Sequence, residues 1–60
     1  MTMNEQLKAR SEALLIAMLG TNLAKDWWTT PNRAFENQAP QTQNIERVYS
    51  YLIQIAEGQW

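Results

Sequence analysis

Apolar residues in the first third of the chain recur at the spacing of a helix. Leu7, Leu14, Leu15 and Met18, with Ser11 among them, fall at i, i+4, i+7, i+8 and i+11, one face of a helix predicted over Asn4 to Leu19. Lys8 and Glu12 form an i, i+4 charge pair on its outer side. Gly20 suits the position just past the last helical residue. Ile16, Ala17 and Leu19 spread the apolar character over the other faces. A helix apolar on several sides needs contacts on several sides, and a second subunit is the simplest supplier.

The next segment is expected to be a short helix ending at Trp28, capped by Thr21 or Asn22, whose side-chain oxygens can accept from first-turn amides. Leu23 and Trp27, four apart, share a face, which makes Trp27 a core candidate. Trp28 lies about 100° further round, and both a core seat and a partner contact remain open for it. Thr30 and Pro31 are expected to be the N-cap and first residue of another short helix, with Ala34 and Phe35 turned inward and Pro40 closing the segment. A last helix is predicted from Thr42–Asn44 to Glu57. Ile45, Val48, Tyr49, Leu52, Ile55 and Ala56 make its apolar stripe, while Tyr51 and Ile53 lie outside it. Glu46 complements the positive helix start, and Gly58 is the stop before a short tail, Gln59 and Trp60. The fold class is all-α, a small bundle of three to four helices completed by dimerisation.

Length sharpens that expectation. The chain's 60 residues make one domain, 1–60. A chain of this size buries only about 60% of the surface its unfolded form exposes, and its core alone supplies roughly 3–5 kcal/mol. With no cysteine, neither a disulfide nor a Cys/His zinc site can reinforce it. A composition 45% hydrophobic and 18% charged, with two glycines, excludes a disordered chain.

Catalysis is not expected. The chain has no histidine, and Ser11 and Ser50 have no base patterned beside them. Glu5, Glu12, Asp26, Glu36, Glu46 and Glu57 are spread singly, so no pair is set up for acid–base work. Gly20 and Gly58 stand alone, so there is no phosphate loop. No cofactor and no metal is expected. The net charge of −1, with Lys8, Arg10, Lys25, Arg33 and Arg47 scattered, argues against nucleic acid. The longest apolar run, Ala13 to Leu19, is far shorter than the roughly 20 residues that cross a bilayer, so a soluble, cytoplasmic protein is expected.

Protein recognition is what remains. Tryptophan and arginine are enriched among interface hot spots, which singles out Trp28, Arg33 and Trp60. Trp60, beyond a helix stop, either folds back onto the domain or inserts into a partner.

Leu19-Gly20, the Ala24-to-Trp28 segment, the run Trp27-Trp28-Thr29-Thr30-Pro31-Asn32-Arg33-Ala34-Phe35, Pro40, and the closing Leu52, Ile55 and Gly58 follow one another in an order seen elsewhere. Over residues 19–60 the chain resembles the toxin-binding domain of Xre/MbcA/ParS-type antitoxins. The resemblance implies an all-helical dimer that binds a toxin with NAD-consuming or ADP-ribosylating activity, occluding its cleft with the last helix and tail. Carried over by position, Ile55, Gly58, Gln59 and Trp60 would touch the toxin. The Trp27, Thr30, Pro31, Asn32 and Phe35 corner would hold the small helix that supports them. Glu36-Asn37 stand where the family has a glycine pair, and the linker after Pro40 is shorter, so a short helix before the last one is expected to be missing. Eighteen residues precede Leu19, so an upstream DNA-binding portion, and with it autoregulation, is not expected. The expected function is a protein-binding inhibitor that neutralises a partner enzyme. The alternatives are a phage-type inhibitor of a host defence or regulatory protein and a purely structural self-assembling domain.

Overall fold

The computed structural model describes residues 3–58. It is all-helical, with α1 over Met3–Leu19, α2 over Thr21–Trp27 and α3 over Ile45–Ala56. Two 3-10 turns, Arg33–Phe35 and Pro40–Thr42, lie between α2 and α3. The only β-type pairing among the described residues is an isolated bridge between Asn32 and Gln38. No described helix is long and apolar enough to cross a membrane.

α1 and α3 form where the periodicity places them, and they make the main helix–helix contact. Ser11 and Leu15 are the buried residues of α1, and Val48 and Leu52 those of α3. Ser11 is fully buried on an otherwise apolar face, where its hydroxyl donates to the Leu7 carbonyl at 2.8 Å. That bond one turn back satisfies the hydroxyl within the helix itself. Asn44 caps α3, its side chain accepting from the Glu46 amide at 2.8 Å. Gly58 follows the helix with φ +78° and donates to Ile55.

The joint between α1 and α2 is a single residue. Gly20 donates to the Ile16 carbonyl at 2.9 Å and accepts from the Ala24 amide at 3.0 Å. Its φ of +86° and the open space around its α-carbon make backbone conformation the reason for glycine here. Gly20 is therefore the N-cap of α2, and Thr21 and Asn22 lie inside the helix, contrary to the capping expected of them. The buried side of α2 also differs from expectation. Ala24 is 2% exposed, whereas Leu23 is 59% exposed. Trp27 is half-buried against the core on the Ala24 side.

The corner after α2 is built from different caps than Thr30 and Pro31. The Thr30 hydroxyl turns back and donates to the Asp26 carbonyl at 2.7 Å, closing the end of α2. Pro31 precedes an extended Asn32, which caps the first 3-10 turn by accepting from the Ala34 amide at 2.9 Å. Asn32 also exchanges backbone bonds with Phe35, Asn37 and Gln38, so one residue ties the whole loop. Pro40 opens the second 3-10 turn instead of closing the segment, and it is buried. The Gln41 amide then donates to the Trp28 carbonyl at 3.1 Å, fixing that turn to the end of α2.

This loop delivers Phe35 to the centre of the bundle. Leu15, Ala24, Phe35, Val48 and Leu52 form the buried cluster. The Phe35 ring meets Trp27 edge-on at 6.2 Å and Tyr51 at 5.3 Å. Tyr51, off the α3 stripe, packs because the loop wraps that flank of the helix. Phe35→Ala is expected to cost about 3–5 kcal/mol, enough to abolish cooperative unfolding in a domain this small. Urea unfolding followed by circular dichroism checks this, and an unchanged midpoint would remove Phe35 from its central role.

Candidate protein-binding surface

Of the residues expected to touch a partner, four are described, on different elements of the fold. Trp28 lies at the end of α2, half-buried, edge-on to Trp27 at 5.3 Å and 84°. Its indole Nε1 is shielded and has no acceptor among the described residues, so packing alone holds the ring. Arg33 is exposed on the first 3-10 turn. Ile55 is half-buried and Gly58 exposed, at the end of α3. Gln59 and Trp60 lie outside the described residues.

A hollow of about 900 Å³ takes in Trp28 but not Arg33, Ile55 or Gly58. Trp28, Pro40 and Ile45 supply its apolar surface, and Lys8, Lys25 and Glu46 are among the charged groups around it. Residues from the first turns of α1 and of α3 line it together, so the starts of these two helices share one end of the molecule. Carboxylates distant in sequence thus share a hollow. Even so, no group of three or more metal-ligating side chains occurs among the described residues.

The corner that supports this region is held by a residue that the sequence left among its scattered charges. Arg47 donates to the Gln43 side chain at 2.9 Å, to the Ala34 carbonyl at 3.3 Å and to Glu36 at 2.6 Å. Its guanidinium also lies 5.2 Å from the centre of the Phe35 ring. The ion pair is solvent-exposed, at 45% and 70% for the two side chains, so it contributes at most about 1 kcal/mol. The geometry matters more than the charge, because one planar group joins α3 to both sides of the Phe35 turn. Gln43, four residues earlier, was a local signal for this. The reach to Glu36 was not.

Immediately after Phe35 the backbone is left-handed twice, at Glu36 (φ 54°) and Asn37 (φ 63°). Side chains with a Cβ resist this conformation, by roughly 1–2 kcal/mol per residue, asparagine less than most.

Of the larger exposed apolar side chains, Met3, at 70%, stands at the start of α1, and the others lie elsewhere. Ile16, Met18, Leu19 and Leu23 surround the α1–α2 junction, between 39% and 59% exposed. The spread of apolar residues around α1 pointed to this surface. Met18 and Leu23 were missed because both had been assigned to core faces.

Compared with known proteins, the chain matches no family model, no curated protein and no solved structure.

Asn37→Ala should lower the unfolding free energy by about 1 kcal/mol, whereas Asn37→Gly should leave it within about 0.5 kcal/mol. Chemical denaturation of the two variants measures the difference, and equal losses would assign the effect to the asparagine side chain instead of the backbone.

Proposed function

We propose that this chain is a small protein-binding inhibitor that neutralises a partner enzyme, in the manner of an antitoxin, by covering it with the end of α3 and the tail beyond it. The contact residues in this reading are Ile55, Gly58, Gln59 and Trp60, with Trp28 and Arg33 at the supporting corner. The bundle acts as a homodimer in the cytoplasm, and the target is an enzyme that consumes NAD or transfers ADP-ribose.

One observation carries the reading. The two consecutive left-handed residues, Glu36 and Asn37, occupy the positions where the resembled antitoxin domain has a glycine pair. Glycine is the residue that such a backbone favours. The backbone here is thus one that a glycine pair would also favour. The buried Phe35 just before it, and the tying role of Asn32 in the Thr-Pro-Asn run, give the resembling residues a common structural task.

A purely structural, self-assembling role is the second reading, favoured by the exposed Ile16, Leu19 and Leu23. A phage-type inhibitor with a different target would use the same contact surface as the first reading.

Tagged chain should capture one enzyme from the cells that encode it, and adding the chain should suppress that enzyme's NAD consumption. Ile55→Asp, or removal of Gln59 and Trp60, should weaken capture at least about tenfold. If no enzyme is recovered, or if both variants capture it as well as the parent chain, the proposal fails.

A further inference from the structure

The hollow beside Trp28 has no task in the inhibitor reading, whose main contacts lie at the end of α3. Its volume of about 900 Å³ falls within the range of sites that enclose a small ligand. Its walls differ in chemistry. On the α2 side stand Lys25 and Trp28, three residues apart and so neighbours on one helical face. Both are donors only, an ammonium and an indole N–H. On the α1 side Lys8 and Glu12 follow each other at helical spacing, and Glu46 stands in the first turn of α3. Ionised, the two carboxylates are acceptors only. Trp28, buried Pro40 and half-buried Ile45 supply the apolar surface.

Two features of the hollow are unfinished. The first is charge. Lys8 and Glu12, a pair by their spacing, do not close into an ion pair, and among the described residues only Arg47 and Glu36 do so. Lys25 and Glu46 are likewise without an ionic partner there. Both signs of charge thus border one space, and all four groups are exposed. The second is the Trp28 indole. Its Nε1 is shielded and meets no acceptor among the described residues, whereas a buried tryptophan N–H ordinarily finds one.

We propose that this hollow binds a short peptide with free ends, its apolar side chain lying against Trp28 and Pro40. The peptide carboxylate goes to Lys25 and its ammonium to Glu12 and Glu46. A peptide carbonyl takes the Trp28 N–H after a small turn of the ring. Charges of both signs select a zwitterion, since a simple anion or cation would be repelled by one set of groups. Separation selects a peptide over a single amino acid. The charged groups of the hollow come from three helices, whereas the ammonium and carboxylate of an amino acid share one carbon. Three extended residues set their ends roughly 10 Å apart. The side-chain amides of Asn4 and Gln41, each both donor and acceptor, complement the peptide bonds between those ends. Contacts to exposed charges are weak one by one, which sets the dissociation constant near about 1 mM. The inference goes beyond the inhibitor reading and does not depend on it.

Titration of isotope-labelled chain with trileucine, followed by amide correlation spectra, tests the inference. The tryptophan indole N–H signals read the site directly, and Trp28→Phe identifies the one that belongs to Trp28. That signal should move downfield as an acceptor engages it, and saturate at a few times about 1 mM peptide. Trileucine with an acetylated amino end and an amidated carboxyl end keeps the side chains and loses both charges. It should bind at least about fivefold more weakly. Lys25→Gln and Glu46→Gln should each weaken binding of free trileucine about threefold. Both side chains are exposed, and circular dichroism should show their helix content unchanged. A Trp28 signal that stays in place at about 10 mM trileucine overturns the inference. So does a blocked peptide that binds as tightly as the free one, or binding that neither charge variant weakens. Removal of Gln59 and Trp60 keeps the two proposals apart, because it should weaken enzyme capture and leave trileucine binding unchanged. Peptide binding lost together with that tail would overturn the hollow as its site.

Discussion

Phe35 reaches the centre of the bundle from a turn of only three residues, and the elements around it depend on that reach. α1 and α3 supply Leu15, Val48 and Leu52 to the core, and α2 supplies only Ala24. Without a large side chain from the loop, the space between the helices would have no occupant. Phe35 fills it, and its ring edges gather Trp27 on one side and Tyr51 on the other. The bonds that look local serve this end. Asn32 starts the turn, Thr30 releases the chain from α2, Gln41 returns it to Trp28, and Arg47 pins the outside of the turn to α3. The two left-handed residues follow because the chain must reverse at once after inserting the ring.

Filling the centre from the loop leaves the rest of the apolar surface unused. Among the described residues, five hydrophobic ones make the buried core, while Ile16, Met18, Leu19 and Leu23 are among the large ones left exposed. Exposed apolar residues are ordinary when they occur singly, and a set around one helix junction is the kind of surface that contact between molecules uses. Antitoxin-like inhibition is the purpose proposed above for such contact.

α1 and α3 were legible because each has enough turns for its spacing to be read. Gly58 was legible as the stop after α3, while the start was placed only within Thr42–Asn44, of which Asn44 proves to be the cap. The corner was not. Thr30-Pro31 and Asn32 both have the chemistry of a helix start, and Asn32 takes the role because the Thr30 hydroxyl is already engaged with Asp26. α2, at seven residues, is too short for spacing to decide which side is buried, and so Leu23 was placed inward when Ala24 is the inward residue. The hold of Arg47 on Glu36 spans eleven positions, and nothing in either neighbourhood announces it. Of the candidate site, some apolar surplus on α1 could be read from the sequence, whereas half-buried Trp28 still allows both of its readings and the hollow beside it needs the packed helices to define it.

The claim on which the account rests is that the folded chain leaves apolar surface that another molecule must cover. The most direct measurement is the denaturation midpoint of the purified chain across protein concentrations from about 1 to about 100 µM, since self-association couples stability to concentration. The account predicts a midpoint that climbs steadily as the protein is concentrated. A midpoint that stays fixed across that range, in a chain that unfolds cooperatively, would contradict it.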